Sequence, residues 1–371
     1  MTTVSRRMRD TLQAYSFLTK QADSFGEYVR QQIGLGLLRG AVLAPDVMLN
    51  LPQLFSRMLE CERRRATLRA ERDLAVPTIL FVAITGQCNF HCQHCYSQRY
   101  AKEHMDISLA RRILSQGYDL GLSAIVVTGG EPLLNEEFFD IPRAMLDVAF
   151  MIFTNGSLIP RFLEEQESTA NMLWLVSIDG PREYMDARRG PGSYDTAIRA
   201  MKALRKHRRP FGFSVTMAPD NVDVAGTPEF IQPLVKLGCR SGAFLEQIPS
   251  PPCDPPLSRR VRVALDRCRT VCKVPIVGFP ADEDRFGGCQ AGGDGLAHVS
   301  PDGYLEPCPA ARLAADSLAE VSFETALSNP FIKEFRELKT RFEQEDQSCA
   351  YTGRAETFEA ALARYGAHST V

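Results

Sequence analysis

Three thiols, Cys88, Cys92 and Cys95, stand in the run Thr85-Gly-Gln-Cys88-Asn-Phe-His-Cys92-Gln-His-Cys95-Tyr96, directly after the apolar stretch Thr78 to Ile84. A strand feeding such a loop can point three thiolates at one centre, and soft sulfur donors suit an iron–sulfur cluster or zinc. A 4Fe-4S cluster held by three cysteines keeps one iron open to chelation by a small molecule, whereas structural zinc takes a complete tetrahedral set. A second signal, Gly129-Gly130-Glu131-Pro132, follows another apolar run, Ala124 to Thr128. A third lies near the C-terminus: Cys289 within Gly288-Cys289-Gln290-Ala291-Gly292, then Cys308 at the end of Pro301-Asp302-Gly303-Tyr304-Leu305-Glu306-Pro307-Cys308, then Cys349. The Pro-Asp-Gly turn predicts a hairpin with Cys308 at the end of its second strand.

The elements that must position these residues are short β-rich runs separated by helical intervals, the mark of repeating βα units with a parallel sheet. Candidate strands are Thr78–Thr85, Ala124–Thr128, Phe150–Thr154, Leu173–Ile178, Phe211–Met217 and Gly242–Ile248. Helical intervals include Ser108–Gly117, with Ser108 as N-cap, and Tyr194–Lys206. In parallel α/β barrels the functional groups sit at the carboxyl ends of the strands. Those ends carry the thiols, Gly129–Pro132, Thr154-Asn155-Gly156, Ser177 and Asp179-Gly180. Thr154, Asn155 and Ser177 offer short donors and acceptors suited to ribose or carboxylate groups. Glu246 and Gln247, at the sixth strand end, face substrate or adenine in this arrangement.

The paired signals resemble the radical S-adenosylmethionine (radical SAM) superfamily, whose signature is the same three-cysteine spacing after the first barrel strand. The resemblance implies a partial (βα)6 TIM-like barrel, an α/β fold, with a 4Fe-4S cluster on Cys88, Cys92 and Cys95. It implies that Gly129, Gly130, Glu131 and Pro132 hold the methionine part of S-adenosylmethionine, and that an arginine, Arg188 in preference to Arg189, meets its carboxylate. Reductive cleavage would then give a 5′-deoxyadenosyl radical that abstracts hydrogen from an unactivated carbon. The region from Cys289 to Cys349 resembles the SPASM/twitch extensions of such enzymes. Three candidate ligands, Cys289, Cys308 and Cys349, imply one auxiliary iron–sulfur cluster, with either an open iron or a fourth ligand from elsewhere, among them His298, Cys253 and substrate. His94 is not expected to be a ligand. The implied organisation is an N-terminal helical segment (1–74), a radical SAM core (75–256) and a small C-terminal iron–sulfur module (257–371).

Residues 1–74 read as helices from the spacing of Tyr15, Leu18, Phe25 and Val29, and again of Leu54, Phe55, Met58 and Leu59. The apolar Ile33 to Leu43 segment either covers the barrel's bottom or lies on a membrane or hydrophobic substrate. The formal charge of -2 hides a basic head of 12 Lys/Arg against 8 Asp/Glu in residues 1–75. That excess, with Arg63-Arg64-Arg65, fits a solvated helix face, and no nucleic acid is expected as a partner. Eleven cysteines without a secretory leader point to a reducing cytoplasm. No stretch reaches the roughly 20 apolar residues that span a bilayer, which leaves peripheral membrane contact open. Cys268 and Cys272 share an apolar helix face with Val261 and Leu265 and read as packing residues. Pro330–Glu345 reads as a helix leading to Cys349, and Pro249–Pro256 as a stiff loop. The expected substrate is a peptide or other natural product, with a lipid, sugar or small metabolite as the competing class. The expected electron donor is an external one-electron reductant such as flavodoxin or ferredoxin. A non-catalytic iron–sulfur or zinc protein is the rival from another class, but it has no use for Gly129–Pro132.

Overall fold

A computed structural model describes residues 22, 24–41, 44–248, 256–342 and 349–370. Tyr15, Leu18, Cys253 and most of the Pro249–Pro256 loop lie outside the described residues, as do the side chains of Phe25 and Val29. The six expected strands are present as β1 (Ile79–Ala83), β2 (Ala124–Thr128), β3 (Ala149–Thr154), β4 (Met172–Ser177), β5 (Phe211–Met217) and β6 (Gly242–Glu246). Three more join the same curled sheet: β7 (Ile276–Phe279), β8 (Leu296–Val299) and β9 (Leu305–Glu306), in the order β7-β6-β5-β4-β3-β2-β1-β8-β9. β7 adds to β6 and β8 to β1, both parallel, while β9 returns antiparallel to β8. The hairpin turn therefore forms as expected, with Gly303 at φ 85 in the left-handed region, and Cys308 follows β9 directly.

Strands buried on both faces need apolar residues at successive positions, and β1, β2 and β4 are buried throughout. Leu80 and Val82 of β1 pack outward with Ile125 and Val127 against the surrounding helices. Ile79 and Phe81 point inward with Val126, Met151, Leu173 and Val277. The helix before β2 runs Ile107–Leu120, and its N-cap is Asp106, whose carboxylate accepts the Leu109 amide at 2.8 Å. Ser108 is therefore inside the helix, because an aspartate two residues earlier takes the cap. The helix before β5 begins at Ser193.

The N-terminal helix Phe25–Ala41 settles the two readings of the Ile33 to Leu43 segment for its described part. Ile33 and Leu37 are buried in the inward-facing cluster. Gly36 lies against Ser241 and Gly40 against Pro210, residues that open β6 and β5, so this helix covers the amino ends of the barrel strands. The second helix, Pro45–Arg72, buries Leu54, Phe55 and Met58 in the same cluster. Arg63 and Arg64 are exposed, while Arg65 donates to the Gly121 carbonyl at 2.6 Å. Among the described residues no helix is long and apolar enough to cross a membrane. Cys268 is buried on the helix Leu257–Cys272, as its packing role requires.

On the C-terminal side, the helix Pro330–Phe342 is pinned by Lys339, which is 3% exposed. Its ammonium donates to the Cys289 carbonyl and, at 3.0 Å, to that of Ala291, and pairs with Asp294 at 2.9 Å. One side chain thus fixes the loop carrying Cys289 to the helix that leads toward Cys349. Lys339→Ala is expected to cost about 2–4 kcal/mol, measured by urea unfolding, because two carbonyls and a carboxylate lose a buried charged donor.

Candidate functional site

At the carboxyl ends of the strands a cavity of about 260 Å³ is lined by Cys88, Cys92 and Cys95 and also by Cys289, Cys308 and Cys349. Both sets of thiols, separated by as much as 260 residues of chain, therefore open on one space. All six are unbridged.

The first loop is held from three directions. Gly130 donates its amide to the Thr85 carbonyl and Glu131 to that of Gln87, each at 2.8 Å. The Asn155 side chain donates to Asn89 Oδ1 at 2.8 Å and points its Nδ2 at the Cys88 sulfur, 3.9 Å away. Gln93 donates its amide to the Arg188 carbonyl at 2.8 Å. The glycine pair has a steric cause: a Cβ on Gly130 would stand 1.9 Å from the Gln87 oxygen, and one on Gly129, at φ 134, 2.3 Å from the Thr85 oxygen. The turn after β2 and the cysteine loop after β1 are thus one packed unit.

Of the residues expected to contact a cofactor, Gly129, Gly130, Thr154, Asn155, Ser177 and Arg188 line the cavity. Glu131 and Pro132 are buried behind it. The Glu131 carboxylate accepts from Thr154 Oγ1 at 2.7 Å, from the Asn155 amide at 2.7 Å and from the Leu133 amide at 3.3 Å, so it braces the tips of β2 and β3. Burial pushes its pKa up to about 7 even against these three donors. Arg188 and Arg189 both reach the wall. Arg189 grips the fully buried Asp179 with two bonds, at 2.6 and 3.2 Å, and although burial opposes its charge, Asp179 keeps it protonated. Arg188 shares Asp179 at 3.2 Å and donates to Gln247 Oε1 at 3.2 Å.

Burial pushes the Cys88 thiol up to about 11 and raises Cys92, the latter against the opposing charge of Arg189. Binding of a metal centre must therefore displace thiol protons, as thiolate ligation always does. Among the described residues no group of three His, Cys, Asp or Glu is placed to hold a single metal ion. A 4Fe-4S cluster attaches each thiolate to a different iron, so an all-thiol set facing one cavity suits a cluster without such convergence.

His298, an expected candidate for the second set, is placed elsewhere. Its Nδ1 stands 2.6 Å from Glu306 Oε2, its ring stacks on Tyr100 at 6.2 Å, and it does not line the cavity. A histidine on a strand adjoining a cysteine hairpin looks like a ligand, but its pairing with Glu306 across the β8–β9 ladder commits it to that network.

The same wall carries residues that were not singled out from the sequence. Ser214 and Thr216 project into the cavity from β5, and Ser214 Oγ lies 3.2 Å from Ser177 Oγ. Their alternate spacing in an otherwise apolar strand is the signal that could have found them. Phe81, Phe153 and Phe279 make an apolar floor. Glu246 and Gln247, both expected at the sixth strand end, line the cavity as well; Glu246 is 8% exposed and its Oε1 is buried with no hydrogen-bond partner among the described residues.

Burial, then the neighbouring charge of Glu283, pushes Glu246 from its ordinary 4.5 up to about 8, with Arg262 opposing. The folded protein therefore keeps this acid neutral at pH 7 while the unfolded chain ionises it. Its contribution to stability is complete below about pH 4.5 and is lost as pH rises toward 8. Glu246→Gln cannot ionise, so the metal-free variant is expected to gain on wild type between pH 5 and pH 8, at about 1.4 kcal/mol per pH unit at most. Urea unfolding across that range checks this, and parallel pH profiles for the two proteins would contradict it.

Residues 82–230 match the Radical SAM superfamily. An AdoMet-dependent heme synthase of Methanosarcina barkeri is 27% identical over 155 residues, 40% of this chain and 44% of that protein. The mycofactocin maturase MftC of Mycolicibacterium smegmatis is 29% identical over 164 residues, 41% of each chain. The chain thus spans less than half the length of these curated relatives. Among solved structures, Streptococcus suis SuiB bound to S-adenosylmethionine superposes with a TM-score of 0.58 at 16% identity, covering 79% of this chain and 75% of that one. SuiB bound to precursor peptide SuiA gives 0.57 at 15% identity, over 74% and 70%. Both share the curled parallel sheet.

Proposed function

We propose that the protein, whose residues 82–230 match the Radical SAM superfamily, is a member of that superfamily and an enzyme using S-adenosylmethionine and two iron–sulfur clusters to modify an organic substrate. The observation that carries this reading is one cavity lined both by Cys88, Cys92, Cys95 and the Gly129-Gly130 turn and by Cys289, Cys308 and Cys349. Cys88, Cys92 and Cys95 would hold the first cluster, which with bound S-adenosylmethionine would supply one-electron cleavage of a carbon–sulfur bond. The chain's own residues do the rest. The glycine turn, Thr154, Asn155, Ser177 and Arg188 present backbone and side-chain polar groups suited to the amino acid and ribose parts of the cofactor. Phe81, Phe153 and Phe279 exclude water from the space where hydrogen is abstracted. Cys289, Cys308 and Cys349 would hold an auxiliary cluster of the SPASM/twitch kind, which would serve as an electron acceptor or position substrate. The first electron comes from an external donor such as flavodoxin or ferredoxin.

A peptide is the substrate class this arrangement supports best. From the cavity an open groove continues past Gln98, Arg99, Glu183, Tyr184 and Asp220, giving an extended chain a path to the thiols. A maturase among the relatives and a structural neighbour solved with a precursor peptide agree with that reading. Oxidative modification, cross-linking or epimerisation are the reaction types it covers.

Cys308→Ala tests the division of labour. The variant is expected to lose about four irons per chain, half of about eight in the wild type, yet to keep cleaving S-adenosylmethionine. A peptide encoded beside the gene should change mass with the wild type and not with Cys308→Ala. Modification of a lipid or sugar in place of the peptide would overturn the substrate assignment.

A further inference from the structure

We propose that Glu283 supplies the fourth ligand of the auxiliary cluster, a carboxylate oxygen completing a site whose other donors are Cys289, Cys308 and Cys349. This inference rests on the auxiliary-cluster reading above.

Glu283 opens the one-turn helix Glu283–Phe286 that follows β7. It is 5% exposed and lines the same cavity as the three thiols. Its Oε2 accepts the amide of Gln290 at 2.8 Å, and its own carbonyl accepts the amide of Gly288 at 3.2 Å. The carboxylate is thereby held to Gln290 and the main chain of Glu283 to Gly288, the two neighbours of Cys289. An ionised carboxylate has about four lone-pair sites, so the bond to Gln290 does not preclude ligation of a metal.

The three thiols come from three separate segments, yet all of them line the cavity that this carboxylate lines. A carboxylate sharing a cavity with three thiolates is unfavourable until a cation lies among them, and the irons of a cluster are that cation. His298 is committed to Glu306 and Tyr100 away from the cavity. Glu246 shares the cavity wall but belongs to the tip of β6, whereas Glu283 is hydrogen-bonded to Gln290, the neighbour of Cys289. A carboxylate is a harder donor than thiolate, which makes the iron it holds the one most easily lost.

The test uses the full-length chain with Cys88→Ala, Cys92→Ala and Cys95→Ala combined, so that only the auxiliary site can load. It is reconstituted anaerobically with iron and sulfide and followed by iron analysis and electron paramagnetic resonance. This protein is expected to hold about four irons per chain. Adding Glu283→Gln, which retains an acceptor for Gln290, should lower the count to about three after mild oxidation and give the signal of a three-iron cluster, with circular dichroism unchanged. Glu283→Cys should restore about four irons with an altered reduced-state spectrum. An unchanged iron count and spectrum in Glu283→Gln would overturn the ligand assignment while leaving the cluster in place. If the triple cysteine variant binds no iron, the auxiliary cluster itself is refuted, and the proposal falls with it.

Discussion

Cys92→Ala is expected to yield 5′-deoxyadenosine at no more than about one per cent of the wild-type rate, a loss of at least about 2.7 kcal/mol in transition-state terms. The reason lies in the donor set: Cys88, Cys92 and Cys95 share one loop packed on the glycine turn, and alanine leaves two of them for the proposed three-thiolate cluster. Iron should fall by about four per chain, with the remainder retained at the C-terminal site. Folding should be little affected. Cys92 is half-buried and its loop is anchored by Asn155 and by the Arg188 carbonyl, neither of which involves the sulfur of Cys92. Liquid chromatography for the nucleoside and iron analysis on the same sample separate loss of the cluster from loss of the protein. Persistent cleavage in Cys92→Ala would contradict the ligand assignment.

The second large effect comes from a single methyl group. Gly130→Ala places a Cβ 1.9 Å from the Gln87 oxygen, with the Cys88 amide 3.0 Å away, and these contacts are backbone that cannot swing aside. Either the turn after β2 or the start of the cysteine loop must move, at a cost of several kcal/mol. The hydrogen bonds from Gly130 and Glu131 to Thr85 and Gln87 go with it. Affinity for S-adenosylmethionine is expected to fall by at least about a hundredfold, about 2.7 kcal/mol, and occupancy of the first cluster to fall as well. Equilibrium binding to the iron-loaded protein measures this. An affinity within about threefold of wild type would show that the turn does not cradle the cofactor.

Much of this site was legible in the sequence because its signals are local. The runs Ala124–Thr128 and Phe211–Met217 are strands over those same residues, since β-branched and aromatic runs leave little room for another reading. The glycine turn and both cysteine groups could be named because small residues and thiols have few other uses at strand ends. What escaped was nonlocal. β7 and β8 are four residues each, too short to announce themselves, and their parallel pairing with β6 and β1 depends on partners far away in the chain. The helix Phe25–Ala41 offered two destinations for one apolar face, and only the amino ends of β5 and β6 decide between them. Ser108 lost the cap to Asp106 because two good capping residues compete within three positions. Glu283 carries no motif, and its place beside Cys289 follows from a turn that closes back on Gly288 and Gln290.

The account stands most directly on one reaction. The full-length wild-type protein, reconstituted anaerobically with iron and sulfide, is given dithionite and S-adenosylmethionine, and 5′-deoxyadenosine is quantified by mass spectrometry. Formation of the nucleoside and methionine in equal amounts is the predicted result. A protein carrying its full complement of iron that forms neither, with or without peptide, would contradict the radical reading of the site.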